Sequence, residues 1–222
     1  NNMIFLSLYV GHAKGGGIYN DGSLTMNGGA VTDNSADYGA GIYSSSNSIL
    51  MLNDVVISDN TIDPFGTSTD AGEGGGVYAE SSVNFQIINS AIVNNSAKKD
   101  GGGIYSEASL MLTDSLVADN TVTDFDGGGL YLDGSGNTYT LTNVTVSGNS
   151  ANMNAGGILL YQGDLSLNNV TITDNSSSND GAGILAYDTI NMRNSIIGGN
   201  TVTNDVTGDD CNGSIVSQDY NL

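Results

Sequence analysis

A chain of 222 residues with one cysteine, one proline, one histidine and no tryptophan leaves few familiar options. The single thiol, Cys211, cannot close a disulfide within the chain or build a cysteine-based metal site. The single histidine, His12 in Gly-His-Ala, cannot form a histidine cluster, and its setting suits a turn residue better than a catalyst. Only Lys14, Lys98, Lys99 and Arg193 are basic, against 24 acidic residues, for a net charge of −20. Such a chain repels nucleic acid, whose binding rests on Lys and Arg neutralising phosphates, and anionic membrane surfaces. No apolar run approaches the ~18 residues of a spanning helix, so no membrane insertion is expected within this chain. Residues 3–10 are apolar but lack a basic flank and an initiator Met, which suits a mature or excised segment better than a signal peptide. No Gly-x-Ser-x-Gly and no phosphate-binding loop occurs.

What the chain has instead is glycine, 32 residues of it, and a phrase repeated seven times. Each copy closes on an asparagine followed by Ser or Thr: Asn34, Asn60, Asn95, Asn120, Asn149, Asn175 and Asn200. Three residues before it stands an aliphatic residue (Val31, Ile57, Ile92, Val117, Val146, Ile172, Ile197). Eight before it the series is Met26, Leu52, Ile87, Leu112, Leu141, Leu167 and Met192, and ten before it Leu24, Leu50, Phe85, Leu110, Tyr139, Leu165 and Ile190. Buried positions alternate by two, change phase, then alternate by two again, which is the signature of two short strands and a corner. A glycine phrase supplies a third strand: Gly15–Tyr19, Gly39–Tyr43, Gly74–Tyr78, Gly101–Tyr105, Gly127–Tyr131, Ala155–Leu159 and Gly181–Leu185, with starts 24 to 35 residues apart. Glycine is costly inside a strand unless the backbone bends or another chain approaches closely.

The expected fold is therefore all-β: a right-handed parallel β-helix, or β-solenoid, of about seven coils with three short strands each. Coils stacked at the ~4.8 Å inter-strand spacing make a rod core about 35 Å long. Residues 1–222 form one domain, with 1–14 a degenerate N-terminal coil, 15–200 the seven repeats and 201–222 an irregular C-terminal segment. The asparagines are assigned to a ladder of stacked amides along the rod. A second polar column, Gly28, Asp54, Asn89, Asp114, Asn143, Asn169 and Asn194, precedes them by six. In residues 1–14, Leu6 and Leu8 fit core positions, and Gly11 stands where the ladder asparagine would be.

Three features rise above the scaffold. Tyr19, Tyr43, Tyr78, Tyr105 and Tyr131 form a column that points outward if Ile104 and its equivalents point inward. It reads either as a ring stack shielding the sheet or as a binding face. The residues preceding the glycine phrase include Glu73, Asp100, Asp126 and Asp180, stacked carboxylates that repel unless they fan into solvent or share weakly bound calcium. No Gly-Gly-x-Gly-x-Asp calcium repeat accompanies them, and no other cofactor is implied. The long connection Thr61–Glu73 carries the only proline, Pro64, beside Phe65. Loops of this kind carry binding more often than their scaffold does.

The pairing of Gly-Gly-Gly-Ile-Tyr (101–105) with a Val/Ile-x-x-Asn-Ser/Thr closure resembles bacterial and archaeal right-handed parallel β-helix surface proteins. It is similar in repeat layout to the polymorphic outer-membrane proteins of chlamydiae, with aliphatic Val117 or Ile172 where that family has Phe. The tail, with Asp210-Cys211-x-Gly213 and Tyr220-Asn221-Leu222, looks like the closing segment of many secreted β-helix proteins, in which more chain follows. The resemblance implies secretion or surface display, and adhesive or structural work.

The expected function is a non-enzymatic extracellular structural or adhesive β-solenoid: the stalk of a surface adhesin, or a subunit of an extracellular fibre assembling end to end. Its partners are then copies of itself, or cell-surface glycans or proteins. One alternative is a glycan-binding module using the tyrosine column and loop 61–73. Another is a carbohydrate-active enzyme of the polysaccharide lyase or hydrolase kind. The latter needs a base or a carboxylate pair at a set separation. The chain offers only four basic residues and the adjacent Asp209 and Asp210 of its tail.

Overall fold

The computed structural model describes residues 12–62, 71–204 and 210–222. Every regular element among them is a strand, and every strand pairing is parallel. The rung from Ile104 to Val122 shows the plan. It holds Ile104–Ser106, Leu110–Thr113, Leu116–Ala118 and Thr121–Val122. Each of these pairs with the equivalent strand one coil before and one coil after. Ile104 lies between Val77 and Leu130, Leu112 between Ile87 and Leu141, and Val117 between Ile92 and Val146. The apolar columns of the sequence are thus stacked columns in space.

The coil has one strand more than expected. Just past each ladder asparagine lies a two-residue strand: Ser35–Ala36, Thr61–Ile62, Ser96–Ala97, Thr121–Val122, Ser150–Ala151, Ser176–Ser177 and Thr201–Val202. These seven form a sheet of their own. Elsewhere neighbouring strands fuse: Ser23–Thr32 and Ile49–Ser58 run through a corner, and Leu130–Thr142 joins the glycine-phrase strand to the next.

The corners explain two polar columns. Asp54, Asn89, Asp114, Asn143, Asn169 and Asn194 all have φ between 48° and 56°. So do the residues just before the ladder: Asp33, Asp59, Asn94, Asp119 and Asp174 lie between 55° and 58°. Asn and Asp are the non-glycine residues that tolerate this left-handed region best, because their short side chains bond locally. The acids before the ladder therefore mark corners.

The inward columns make one core from end to end. Leu50, Leu52, Ile57, Ile87, Ile92, Ile104, Leu112, Val117, Leu141, Val146, Ile158 and Ile172 have no exposed surface. The short strands add a smaller cluster of Ile62, Ala97, Val122 and Ala151 with Ala40. The C-terminal segment is more regular than expected. Thr201–Val202 pairs with Ser176–Ser177, and Cys211–Ser217 pairs with Ile184–Arg193, Ile215 opposite Ile190. Leu6, Leu8, Gly11, Pro64, Phe65 and Asp209 lie outside the described residues.

Candidate functional site

The ladder asparagines do what their register requires. The Oδ1 of Asn120 accepts two bonds from Asn95, one from the backbone N–H and one from Nδ2, both 3.0 Å. The Nδ2 of Asn120 donates to Asn149 Oδ1 at 2.9 Å and to the carbonyl of Ile92 at 2.9 Å. The same pattern links Asn34 to Asn60, Asn60 to Asn95, Asn149 to Asn175 and Asn175 to Asn200. Asn60, Asn120 and Asn149 are fully buried. Nothing remains on these amides for a ligand, so the ladder is structural.

The glycine strands carry a feature of a different kind. Each presents a tyrosine on the face away from Ile42, Val77, Ile104 and Leu130, and parallel pairing in register places Tyr19, Tyr43, Tyr78, Tyr105 and Tyr131 one above another. Their ring centroids are 5.5, 5.0, 4.8 and 5.1 Å apart, with planes within 19° of parallel. In the next two rungs Leu159 and Leu185 take the position and are buried with Ala155. The aromatic row continues through Tyr161, 6.2 Å from Tyr131, and Tyr187, edge-on at 5.7 Å. The column lies on the face away from the core as expected, stacked ring on ring. Tyr43 is buried, Tyr78, Tyr105 and Tyr131 are half-buried, and the ring faces are turned on one another. What the middle of the stack offers outward is ring edge and hydroxyl; Tyr19 and Tyr187, at 53% and 62% exposure, lie at its two ends.

Two acidic columns flank the stack. On one side, two residues past the tyrosine position, stand Glu80, Glu107 and Asp133. The Tyr43 hydroxyl donates to Glu80 and the Tyr78 hydroxyl to Glu107, the latter at 2.8 Å. Lys14 closes the lower end of this row. Its ammonium donates to the Tyr43 hydroxyl, pairs with Glu80 Oε1 at 3.2 Å, and lies 4.4 Å from the Tyr43 ring centroid. Burial pushes the hydroxyls of Tyr78 and Tyr105 far above the ordinary phenol range; the acids beside them, Glu107 at Tyr78 and Asp133 and Glu107 at Tyr105, push the same way. Burial, then Glu107, raises the carboxyl of Asp133.

On the other side run Glu73, Asp100, Asp126, Asn154 and Asp180, the residues preceding the glycine phrase. They are arranged as a second ladder. Asp100 Oδ1 accepts the backbone N–H of Asp126 at 3.2 Å, Asp126 Oδ1 accepts both the N–H and Nδ2 of Asn154 at 2.8 and 2.9 Å, and Asn154 Oδ1 accepts the N–H of Asp180 at 3.3 Å. Glu73 pairs with Lys99 at 3.7 Å. Burial pushes the carboxyl of Asp100 up to about 7, with Asp126 and Glu73 acting in the same direction against the N–H of Asp126 and Lys99. Burial raises Glu73 and Asp126 as well, opposed chiefly by Lys99 and by Asn154 respectively. Of the expected stacked carboxylates, Asp100 and Asp126 each hold a backbone N–H of the next coil and Glu73 pairs with Lys99. Among the described residues, no group of three or more His, Cys, Asp or Glu is placed to hold a metal ion.

A shallow groove of about 540 Å³ follows another corner, lined by Asp54, Val56, Asn89, Ala91, Asp114, Leu116 and Asn143. Its polar side is again a chain of side-chain bonds: Asn89 to Asp54, Asn143 to Asp114 at 2.8 Å, and Asn169 to Asn143 at 3.0 Å. No Lys, Arg or His lines it.

Sequence reasoning missed Asp210. It sits opposite Gly183, and its Oδ1 accepts the N–H of Asn200 at 2.9 Å and Nδ2 at 3.0 Å, the place an eighth ladder asparagine would fill. The signal available was the coincidence of Asp210 with the third glycine of the phrase once Cys211 is aligned with Ile184.

Comparison with curated proteins and with solved structures returned no match. A family model described as the right-handed β-helix region matches residues 1–215, nearly the whole chain. Stacked parallel coils, an internal asparagine ladder and that match together place this chain in the right-handed β-helix family.

Proposed function

We propose that the chain is a non-enzymatic structural scaffold that works outside the cell, as the stalk of a surface adhesin or as a subunit of a fibre. The observation that carries this reading is the use made of the repeated polar side chains. The ladder from Asn34 to Asp210 is bonded coil to coil without a break. Asp54 and Asp114 in the groove each hold an amide of the next coil, and Asp100 and Asp126 each hold a backbone N–H. Carboxylates fixed in this way are poorly placed to act as a general acid and a base. An acid-rich surface with a single thiol suits an oxidising, salty exterior. The similarity in repeat layout to chlamydial surface proteins supports the adhesive form of the reading.

The test has two arms. Purified protein is incubated with pectin, alginate and related acidic polysaccharides, and release of reducing ends or unsaturated uronic acids is followed. Any turnover abolished by Asp54→Asn or Asp114→Asn overturns the non-enzymatic reading. Negative-stain images at high concentration then separate the two forms. Long filaments support the fibre subunit; isolated short rods support the stalk.

A further inference from the structure

The tyrosine row is continuous from Tyr19 to Tyr187, and no step between its ring centroids exceeds 6.2 Å. Its middle and its ends differ. Tyr43 is buried and Tyr78 half-buried, and their hydroxyls donate to the carboxylates of Glu80 and Glu107. Tyr19 and Tyr187 are exposed. A phenol loses an electron readily only when its proton leaves at the same time. A carboxylate hydrogen-bonded to the hydroxyl receives that proton in place. Lys14 already neutralises Glu80, whereas Glu107 has no ion pair among the described residues, so Tyr78 is the easier of the two to oxidise. Contact from ring to ring lets the electron vacancy move along the row, and at the two ends it reaches open solvent.

We propose that the row carries one-electron oxidation along the rod, and that Tyr19 and Tyr187 at its ends are the sites where two copies of this chain are joined covalently through dityrosine. The oxidant is hydrogen peroxide acting through a peroxidase. Each phenol gives up one electron and its hydroxyl proton, which leaves two phenoxyl radicals. A carbon–carbon bond then forms between ring positions adjacent to the oxygens. The hydrogen on each joined carbon moves to the oxygen of its own ring and restores the phenol. The peroxide takes up the two electrons and two protons and leaves as two waters. The new bond lies in the plane of both rings, so rings held face to face, or edge-on as Tyr161 and Tyr187 are, do not form it with each other. Tyr19 and Tyr187 of one chain lie six coil steps apart, about 29 Å at the inter-strand spacing, so the partner is a second copy. Only the natural supply of peroxide depends on the extracellular reading; the test provides the oxidant.

Peroxidase and hydrogen peroxide are added to the protein at high salt, which screens the −20 charge of each copy, and the bonds formed are mapped by peptide mass spectrometry. Tyr220 is the internal control. It is 88% exposed, more than Tyr19 or Tyr187, and makes no ring contact among the described residues. Dimers joined through Tyr19 and Tyr187 are the expected result. Dimers joined mainly through Tyr220 follow exposure alone and overturn the proposal, as does dityrosine that is absent or confined to monomers. Transport along the row is tested separately. A ruthenium photo-oxidant, with a cobalt(III) ammine as electron acceptor, is tethered to the exposed thiol of Cys211, which pairs with Ile184 close to Tyr187. Bonds at Tyr19, the far end, are expected in the parent. Tyr105→Phe with Tyr131→Phe keeps the rings, removes the hydroxyls and interrupts the row; bonds at Tyr19 are lost and those at Tyr187 persist. An equal yield at Tyr19 in both proteins overturns the proposal, and the map of the parent stands whether or not the double variant folds.

Discussion

Asp210 accepts both the backbone N–H and the side-chain amide of Asn200, taking over the role that each ladder asparagine plays for the one before. The substitution of Asp for Asn is chemically free here, because only the acceptor oxygen is used. Asp210→Asn should leave stability within about 0.5 kcal/mol of the parent. Asp210→Ala strands two donors of a residue that is 5% exposed and should cost on the order of 1–3 kcal/mol. Urea melts of the three proteins check this, and amide hydrogen exchange at Asn200 should accelerate in the alanine variant alone.

Within the rod the asparagine cannot be replaced so easily. Asn120 both accepts from Asn95 and donates to Asn149 and Ile92. Asn120→Asp keeps the accepting oxygen but turns the donating nitrogen into a second acceptor, facing the carbonyl of Ile92 and the Oδ1 of Asn149. It also introduces a charge where no solvent reaches. It should therefore destabilise more than Asn120→Ala, by about 3 kcal/mol or more, and the gap should narrow as the pH falls and the carboxyl takes up a proton. Denaturant midpoints of both variants at pH 7 and pH 4 supply the comparison.

How much of this was readable from sequence follows from how many coils repeat each choice. The asparagine register and the columns of Leu112, Val117 and Ile104 recur seven times, so period-two alternation and a fixed closing residue exposed them. The strand Thr121–Val122 escaped because two residues cannot show an alternation. The corner role of Asp33, Asp59 and Asp174 was not legible, because composition reports their charge while their positive φ is invisible in it. The tyrosines were assigned to the correct face of the strand, but their exposure was not legible. Whether Tyr43 meets water depends on the neighbouring rings and on Lys14 and Glu80, 29 and 37 residues away in sequence. Asp210 could not be found by counting, since it enters the ladder from the glycine phrase rather than from the ladder position.

The glycines should be unequal under substitution. A Cβ on Gly102 would lie 2.4 Å from the carbonyl oxygen of Gly128 and 2.7 Å from that of Thr121, both backbone atoms held by inter-coil bonds. Gly102→Ala should cost at least about 3 kcal/mol, as over-packing against rigid neighbours does at its upper end. The first glycine of the phrase is constrained in another way, by a left-handed φ of 66° at Gly101 and by the carbonyl of Ile104 at 2.6 Å. Yet Ala155 fills the equivalent position with a φ of 53°, packed against Leu159 and Leu185 where earlier coils have tyrosine. Gly101→Ala is therefore expected to cost less than Gly102→Ala, about 1–2 kcal/mol. Thermal melts that ranked the two in the opposite order would show that the inter-coil approach at Gly102 is looser than drawn.

The acid column beside the tyrosines makes the rod more stable in mild acid. Asp100 has its carboxyl raised to about 7 from an ordinary 3.8, chiefly by burial, with Asp126 and Glu73 adding to it. A carboxyl raised in this way is protonated in the folded chain at a pH where the unfolded chain has already released its proton. Its contribution to stability is present in full below pH 3.8, declines as the pH rises from there, and is gone above about 7. Burial raises Glu73 and Asp126 too, and they act in the same sense. The melting temperature should accordingly rise as the pH is lowered from 8 to 5. Lower net charge would give a similar trend by itself, so the decisive comparison is Asp100→Asn. Asparagine keeps the oxygen that accepts the N–H of Asp126 and removes the ionisation. It should raise the melting temperature at pH 8 by about 3 °C or more and change it little at pH 4, at the ~2–4 °C per kcal/mol typical of a domain this size. A gain equal at both pH values would place the benefit in packing and leave the ionisation of Asp100 without a part in it.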